Sequence, residues 1–127
     1  MKFESNKDKG NSGLGMATAY FSTNGYTVSI PLNDTQDYDL VIEKNKELKT
    51  VQVKATACKT KYGIYQVPLK SCGGTRGSTY KTLIDTSVDI LFVLTGDSKM
   101  YCFPCEDIAN RATLNISKKY SSYEVTL

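Results

Sequence analysis

The sequence predicts an α/β fold: a single domain over residues 1–127, with an N-terminal helix followed by a central mixed β-sheet flanked by helices. Three observations carry this prediction. Residues 12–24 (SGLGMATAYFSTN) repeat apolar side chains at helical spacing, and short β-prone runs follow them. The run VDILFVLT at 88–95 is nearly continuous and apolar, as a strand buried on both faces would be. A length of 127 residues suffices for one hydrophobic core and falls short of two ordinary domains.

The elements follow in order. In the helix at 12–24, Leu14, Ala17 and Phe21 share a face, Asn11 or Ser12 can cap the start, and Gly25 can stop it. Residues 26–32 read as a strand running into Pro31. Residues 40–43 and 48–55 form a hairpin about Lys44-Asn45-Lys46-Glu47, and 62–69 (YGIYQVPL) is a further strand. A Gly- and Ser-rich loop spans 71–79, and 80–87 is ambiguous, with a short helix as one reading. After the buried strand, Gly96-Asp97-Ser98 turns the chain into a strand at 99–103. Residues 104–111 suit a short helix with Pro104 near its first turn, and LNIS and YEVTL are strand-like. Asp89, inside the apolar run, implies a strand-end position or a hydrogen-bonded partner.

Composition narrows the chemistry. Hydrophobic residues make up 40% and charged residues 23%, as in soluble globular proteins. No apolar run approaches the roughly 20 residues of a membrane span. The start MKFESNKDKG is too polar for a signal peptide, so the expected location is cytoplasmic. There is no histidine, which removes Ser-His triads, His-liganded metals and the usual general base. There is no G-x-x-x-x-G-K-[ST] loop. Catalysis, if any, must use carboxylates, lysines, thiols or a bound ion. The four cysteines are Cys58, Cys72, Cys102 and Cys105. Cys102-Phe-Pro-Cys105 has the spacing of a zinc or redox pair, yet Cys58 and Cys72 lack that spacing and Cys102 sits in an apolar run. Structural thiols in a reducing compartment are the plainer reading.

The net charge of +3 is unevenly placed: Lys59, Lys61, Lys70, Arg76 and Lys81 lie in 56–82, which contains no Asp or Glu. Such a surface can hold a phosphate backbone, or it can be a solvated loop. Tyr62, Tyr65 and Tyr80 lie among these residues and can stack on sugars and bases or pack in strands. Arg76 in its glycine-rich loop can enter a groove or belong to plain surface.

Register arithmetic singles out one cluster. With Asn45-Lys46 as a two-residue turn, Asp39 falls opposite Gln52, and Lys54 shares their face. Leu40, Ile42, Val51, Val53 and Ala55 then form the opposite, apolar face. Asp39 can ligate a hard ion such as Mg²⁺, with Gln52 or a backbone carbonyl as a neutral oxygen ligand. Lys54 can orient or help deprotonate a water, or neutralise charge on a phosphate. A surface Asp-Lys pair of little consequence is the bland alternative.

The chain resembles the PD-(D/E)XK nuclease superfamily, and within it the small group I intron-associated homing endonucleases that carry Gln-x-Lys in place of Glu-x-Lys. The resemblance rests on Gly10-x-x-Gly13, Gly25-Tyr26-x-Val28, Tyr38-Asp39-Leu40, Gln52-Val53-Lys54 and Val88-Asp89-Ile90-Leu91-Phe92. It implies a restriction-endonuclease-like domain that hydrolyses DNA phosphodiesters with Mg²⁺ and leaves a 5′-phosphate. It further implies Asp39 as metal ligand, Gln52 in place of the second acidic ligand, and Lys54 as catalytic lysine. One departure is Leu14, where these proteins often carry a Glu directly after G-x-x-G. Asp37 compensates only if the strand of Asp39 extends that far. With one site per chain, double-strand cleavage implies a homodimer or tetramer on double-stranded DNA. The alternatives are a nuclease specific for branched DNA, as in Holliday-junction resolution, and a degenerate nuclease fold that binds DNA or a protein partner.

Overall fold

Helix α1 (Asn6–Thr23) is capped by Ser5, whose hydroxyl accepts the Asp8 N–H at 3.1 Å, and Asp8 places negative charge in the first turn. The structure, a computed structural model, describes residues 3–69, 71–72, 80–81, 88–108 and 111–127. The helix begins six residues before the expected 12, because the cap is Ser5 and the first two turns are polar and carry no apolar signal. It stops as expected: the Asn24 N–H reaches back to the Phe21 carbonyl, and Gly25 takes φ 86°, a conformation cheap only for glycine.

The strands are β1 (Thr27–Ser29), β2 (Leu40–Lys44), β3 (Glu47–Thr56), β4 (Tyr65–Pro68), β5 (Ser71–Cys72), β6 (Tyr80–Lys81), β7 (Ile90–Thr95), β8 (Met100–Pro104), β9 (Thr113–Ile116) and β10 (Glu124–Val125). The main sheet has six strands in the order β1-β2-β3-β7-β8-β10. Only the β3–β7 pair in it is parallel, which makes the sheet mixed, as the sequence predicts. β4 pairs with β9, and β5 with β6, as separate two-stranded sheets.

The β2–β3 turn holds Asn45 and Lys46 at φ 54° and 67°, the paired positive values of a two-residue type I′ turn. The ladder pairs Lys44 with Glu47 and Leu40 with Val51, the register inferred from the apolar pattern.

Two cores follow from the alternation of β7. Phe92 and Leu94 face α1 and pack with Ala17, Phe21, Leu40, Ile42 and Val51. Leu91 and Val93 face the other way and pack with Val67, Leu69, Phe103 and Leu114. Continuous apolarity in β7 is therefore what burial on both sides requires. Burying a side chain of the size of Phe21 or Phe92 contributes about 1.5–3 kcal/mol. On the second face the β4–β9 pair covers the sheet, joined by a 3₁₀ turn at Lys118–Tyr123 that brings Tyr120 against Phe103.

Other elements are shorter than expected. The strand at 26–32 reduces to β1, since Pro31 has no N–H to pair and Leu32 is wholly exposed. The run at 62–69 reduces to β4, because Thr60 and Gly63 close a turn ahead of it. Of the helix expected at 104–111, the described residues form a 3₁₀ turn at Cys105–Asp107, and 109–110 lie outside them. Within 80–87, Tyr80–Lys81 is a strand and the remainder lies outside the described residues, as does the loop at 73–79. Asp89 precedes β7 and locks it to β3: its Oδ2 accepts the Thr50 N–H at 2.9 Å, and its own N–H donates to the Thr50 carbonyl at 3.1 Å. Among the described residues no helix is long and apolar enough to cross a membrane.

Cys102 and Cys105 are packed into the sheet rather than presented. Burial pushes the Cys102 thiol from 9.0 up to about 11, against a smaller opposing pull from Lys49. Burial, reinforced by Asp89 and Cys102, pushes Cys105 up to about 12. Neither thiol supplies thiolate near neutral pH, the form needed for metal binding or nucleophilic attack.

Gly13 lets α1 approach the sheet. A Cβ built there would lie 3.1 Å from Val53 Cγ1 and 3.3 Å from Ala55 Cβ. Gly13→Val is expected to lower the unfolding free energy by about 1–3 kcal/mol, read from urea denaturation. An unchanged midpoint would show that helix and sheet do not meet there. For the thiols, native protein treated with iodoacetamide at pH 8 should be modified at exposed Cys58 and spared at Cys102 and Cys105 until denatured, as mapped by peptide mass spectrometry. Their raised values also set the sign of a pH effect. The stabilisation is full below pH 9.0 and is lost as pH rises through about 11 and about 12, so the urea midpoint should fall over that window.

Candidate active site

Asp39 lies one residue before β2, where the ladder with β3 has ended. The continued pairing with Gln52 expected from the register therefore does not form; the chain bends at Asp39 instead. Its N–H donates to the Val51 carbonyl at 2.8 Å, and its Oδ2 accepts the Val53 N–H at 2.7 Å. The carboxylate is thus fastened to β3 at the residue between Gln52 and Lys54. Its other oxygen accepts no hydrogen bond among the described residues. Val53 presents its N–H and C=O to the same side of the strand, so the carbonyl also points past the end of β2.

Gln52 and Lys54 alternate with Val51, Val53 and Ala55, whose side chains turn toward α1. In the parallel ladder Gln52 pairs with Leu91 and Lys54 with Val93, both members of the core on the far side from α1. Both polar side chains are half-buried, and Lys54 has no ion pair among the described residues. Gln52 and Lys54 thus flank the residue of β3 whose N–H donates to the Asp39 carboxylate, and Asp39 arrives from the chain end of β2.

The two charged groups open into different hollows. Asp39 lines a cavity of about 190 Å³ together with Leu14, Tyr38 and Asp34. Lys54 lines a larger one of about 450 Å³ with Lys9, Thr56, Cys58 and Gln66. Leu14 therefore occupies the α1 position that looks onto Asp39, with an apolar side chain. Asp37 does not share the strand face of Asp39, since β2 starts at Leu40. Asp34 and Lys9 were not among the candidates from sequence. Asp34 sits in an irregular loop without periodicity, and Lys9 precedes the expected helix start by a full turn, so only the true boundary of α1 would have flagged it.

The basic region is partly placed. Lys59 and Tyr65 bridge across a turn, with Lys59 Nζ 4.9 Å from the Tyr65 ring centroid. Lys61 Nζ lies 5.1 Å from the ring of Tyr62, which is 77% exposed at the tip. These are cation–π pairs on an exposed turn, with Tyr62 presented to solvent. The side chains of Lys70, Arg76, Tyr80 and Lys81 lie outside the described residues.

For the donor set, one carboxylate oxygen, the Gln52 amide oxygen and the Val53 carbonyl suit a hard divalent ion that keeps several waters. Among the described residues no group of three or more His, Cys, Asp or Glu side chains is placed to hold a metal, so a site here rests on neutral oxygens beside Asp39.

Comparison with known proteins bears on the family and the fold. The family model described as PD-(D/E)XK endonuclease matches residues 4–124. Protein 5.3 of Escherichia phage T7 is 35% identical over 107 residues, covering 82% of this chain and 85% of that protein. The fold superposes on a bacterial homing endonuclease, I-Ssp6803I, with a TM-score of 0.76 and 25% identity, over 90% of this chain and 79% of the other. The match spans α1, strands β1 to β9 and the bend at Asp39, and with it the chain belongs to the PD-(D/E)XK endonuclease family.

Proposed function

We propose that the chain is a Mg²⁺-dependent DNA endonuclease of the intron-associated or mobile-element type, acting as one catalytic domain over residues 1–127 with Asp39, Gln52 and Lys54 at its centre. The observation that supports this reading is the 2.7 Å bond from Val53 N–H to Asp39 Oδ2, which fastens a carboxylate to the backbone of the residue between Gln52 and Lys54. A binding surface has no use for a carboxylate held by the backbone of the strand that also carries Lys54.

Asp39 and Gln52, with the Val53 carbonyl, would hold the ion. When bound, Mg²⁺ polarises the phosphate and lowers the pKa of a water ligand. Asp39 is held in place by its backbone bond and offers its second oxygen without rearrangement. Gln52 adds a neutral oxygen and no charge. Lys54 sets its ammonium where negative charge grows on the pentacovalent phosphate, and it orients the attacking water for in-line departure of the 3′ oxygen, leaving a 5′-phosphate. The half-burial of Lys54 strengthens that interaction over its value in water. Each chain supplies one such centre, so cutting both strands of a duplex calls for a homodimer or tetramer whose symmetry matches the DNA. Lys59, Lys61 and Tyr62 are proposed to follow the DNA backbone, in keeping with their exposed turn.

Plasmid nicking with and without Mg²⁺ tests the site. Asp39→Ala should abolish cleavage, and Lys54→Ala should slow it on the order of 10²- to 10³-fold, while duplex binding persists. Equal activity in wild type and both variants would remove these residues from the mechanism. Absent activity would favour a DNA-binding nuclease fold without catalysis, and nicking that persists without Mg²⁺ would remove the metal from the mechanism. Leu14→Glu adds the missing carboxylate on the wall facing Asp39. It should lower the Mg²⁺ needed for half-maximal nicking on the order of tenfold, about 1.4 kcal/mol of ion binding. An unchanged Mg²⁺ dependence would mean that α1 does not reach the ion.

A further inference from the structure

We infer that the hollow beside Lys54 is a phosphate subsite, in which Lys9 grips the backbone phosphate next to the one being cut. The inference rests on the nuclease reading for the identity of its ligand, and on the cavity itself for the chemistry. The hollow measures about 450 Å³ and lies where the end of β3 meets β4 and the first turns of α1. None of the described residues lining it is acidic.

Its walls are built and satisfied. The Thr56 hydroxyl donates to the Gln66 carbonyl at 2.8 Å and accepts the Cys58 N–H at 3.1 Å. The Gln66 N–H donates to the Cys58 carbonyl at 2.9 Å, and its side-chain amide is engaged with Asn115 at 3.1 Å. What remains charged is Lys9 and Lys54, both half-buried, and neither forms an ion pair among the described residues. Two partly desolvated cations lining one cavity repel each other and lose hydration; an anion between them offsets both costs.

Lys54 joins this hollow to the candidate active site, because its neighbour Val53 holds Asp39. An anion there would lie one residue along β3 from the backbone that holds Asp39, the kind of separation that neighbouring phosphates of one DNA strand can bridge. Lys9 approaches from α1, four residues before the close contact of Gly13 with β3, so its position is set by a rigid helix rather than by a loop. Lys9 acts as a positioning residue: it fixes the strand and takes no part in bond breaking.

The test measures binding of a fluorescein-labelled mixed-sequence duplex by anisotropy across about 50–200 mM salt. Lys9→Ala should make the log–log salt slope shallower by about 0.9, the share of one phosphate contact, and Lys9→Arg should restore it. In plasmid nicking, Lys9→Ala should raise KM with kcat nearly unchanged. Neutral methylphosphonate placed singly along the cut strand should weaken wild type at one position beside the cut, and should add nothing there in Lys9→Ala. An unchanged slope, or additive losses at every position, would overturn the subsite. If wild type fails to nick while Lys9→Ala still flattens the slope, the nuclease reading falls and the anion site stands. If wild type nicks and Lys9→Ala behaves like it, the subsite alone falls.

Discussion

The two-residue turn at Asn45-Lys46 sets the register on which both the core and the site depend. Each of its residues sits at positive φ, which costs a lysine on the order of 1–2 kcal/mol, and the cost is met because the turn twist matches that of β2 and β3. Sliding the hairpin by one residue would turn Val51, Val53 and Ala55 away from α1 and place Gln52 and Lys54 in the apolar layer. Burial on the helix face therefore enforces the polarity of the other face. The chemistry of β3 is a consequence of its packing.

β3 is also the strand where the sheet changes direction. It pairs antiparallel with β2 and parallel with β7, and the Thr50–Asp89 lock holds the start of the parallel pair. Because β2 stops short of β3, the N–H of Val53 is left without a ladder partner, and the Asp39 carboxylate takes it. A bond that would ordinarily be backbone to backbone becomes backbone to carboxylate. The same early ending leaves the Val53 carbonyl beyond the end of β2, on the side of β3 where Asp39 lies.

Leu14 is where the chain departs from the carboxylate that its resemblance to the PD-(D/E)XK family implies. Leu14 lines the hollow of Asp39 with an apolar side chain, and Asp34 is the other acidic residue that lines it among the described residues. The other side of Lys54 carries an excess of positive charge from Lys9. In the proposed reading, such a site would lean on the DNA strand itself, whose phosphate oxygens can complete the coordination of an ion.

Much of the fold was legible in the sequence, because burial writes periodicity: the helical spacing of Ala17 and Phe21, the alternation in β3 and the unbroken apolarity of β7 all survived in the structure. The two-residue turn and the partner of Asp89 were legible for the same reason, since misplaced polar groups need an explanation. The start of α1 was not legible, as its first turns are solvent-facing and their helicity comes from the Ser5 cap and the packing of Gly13. That boundary concealed Lys9. Nor could register arithmetic show that the ladder ends at Leu40 and that Asp39 turns to bond Val53. The sequence by itself determined which residue types share a face, because side-chain alternation is a local property of the backbone. Only the tertiary structure decided where pairing stops and which distant segments, the loop of Asp34 and the first turns of α1, close around Asp39 and Lys54, because those depend on contacts between segments far apart in the chain.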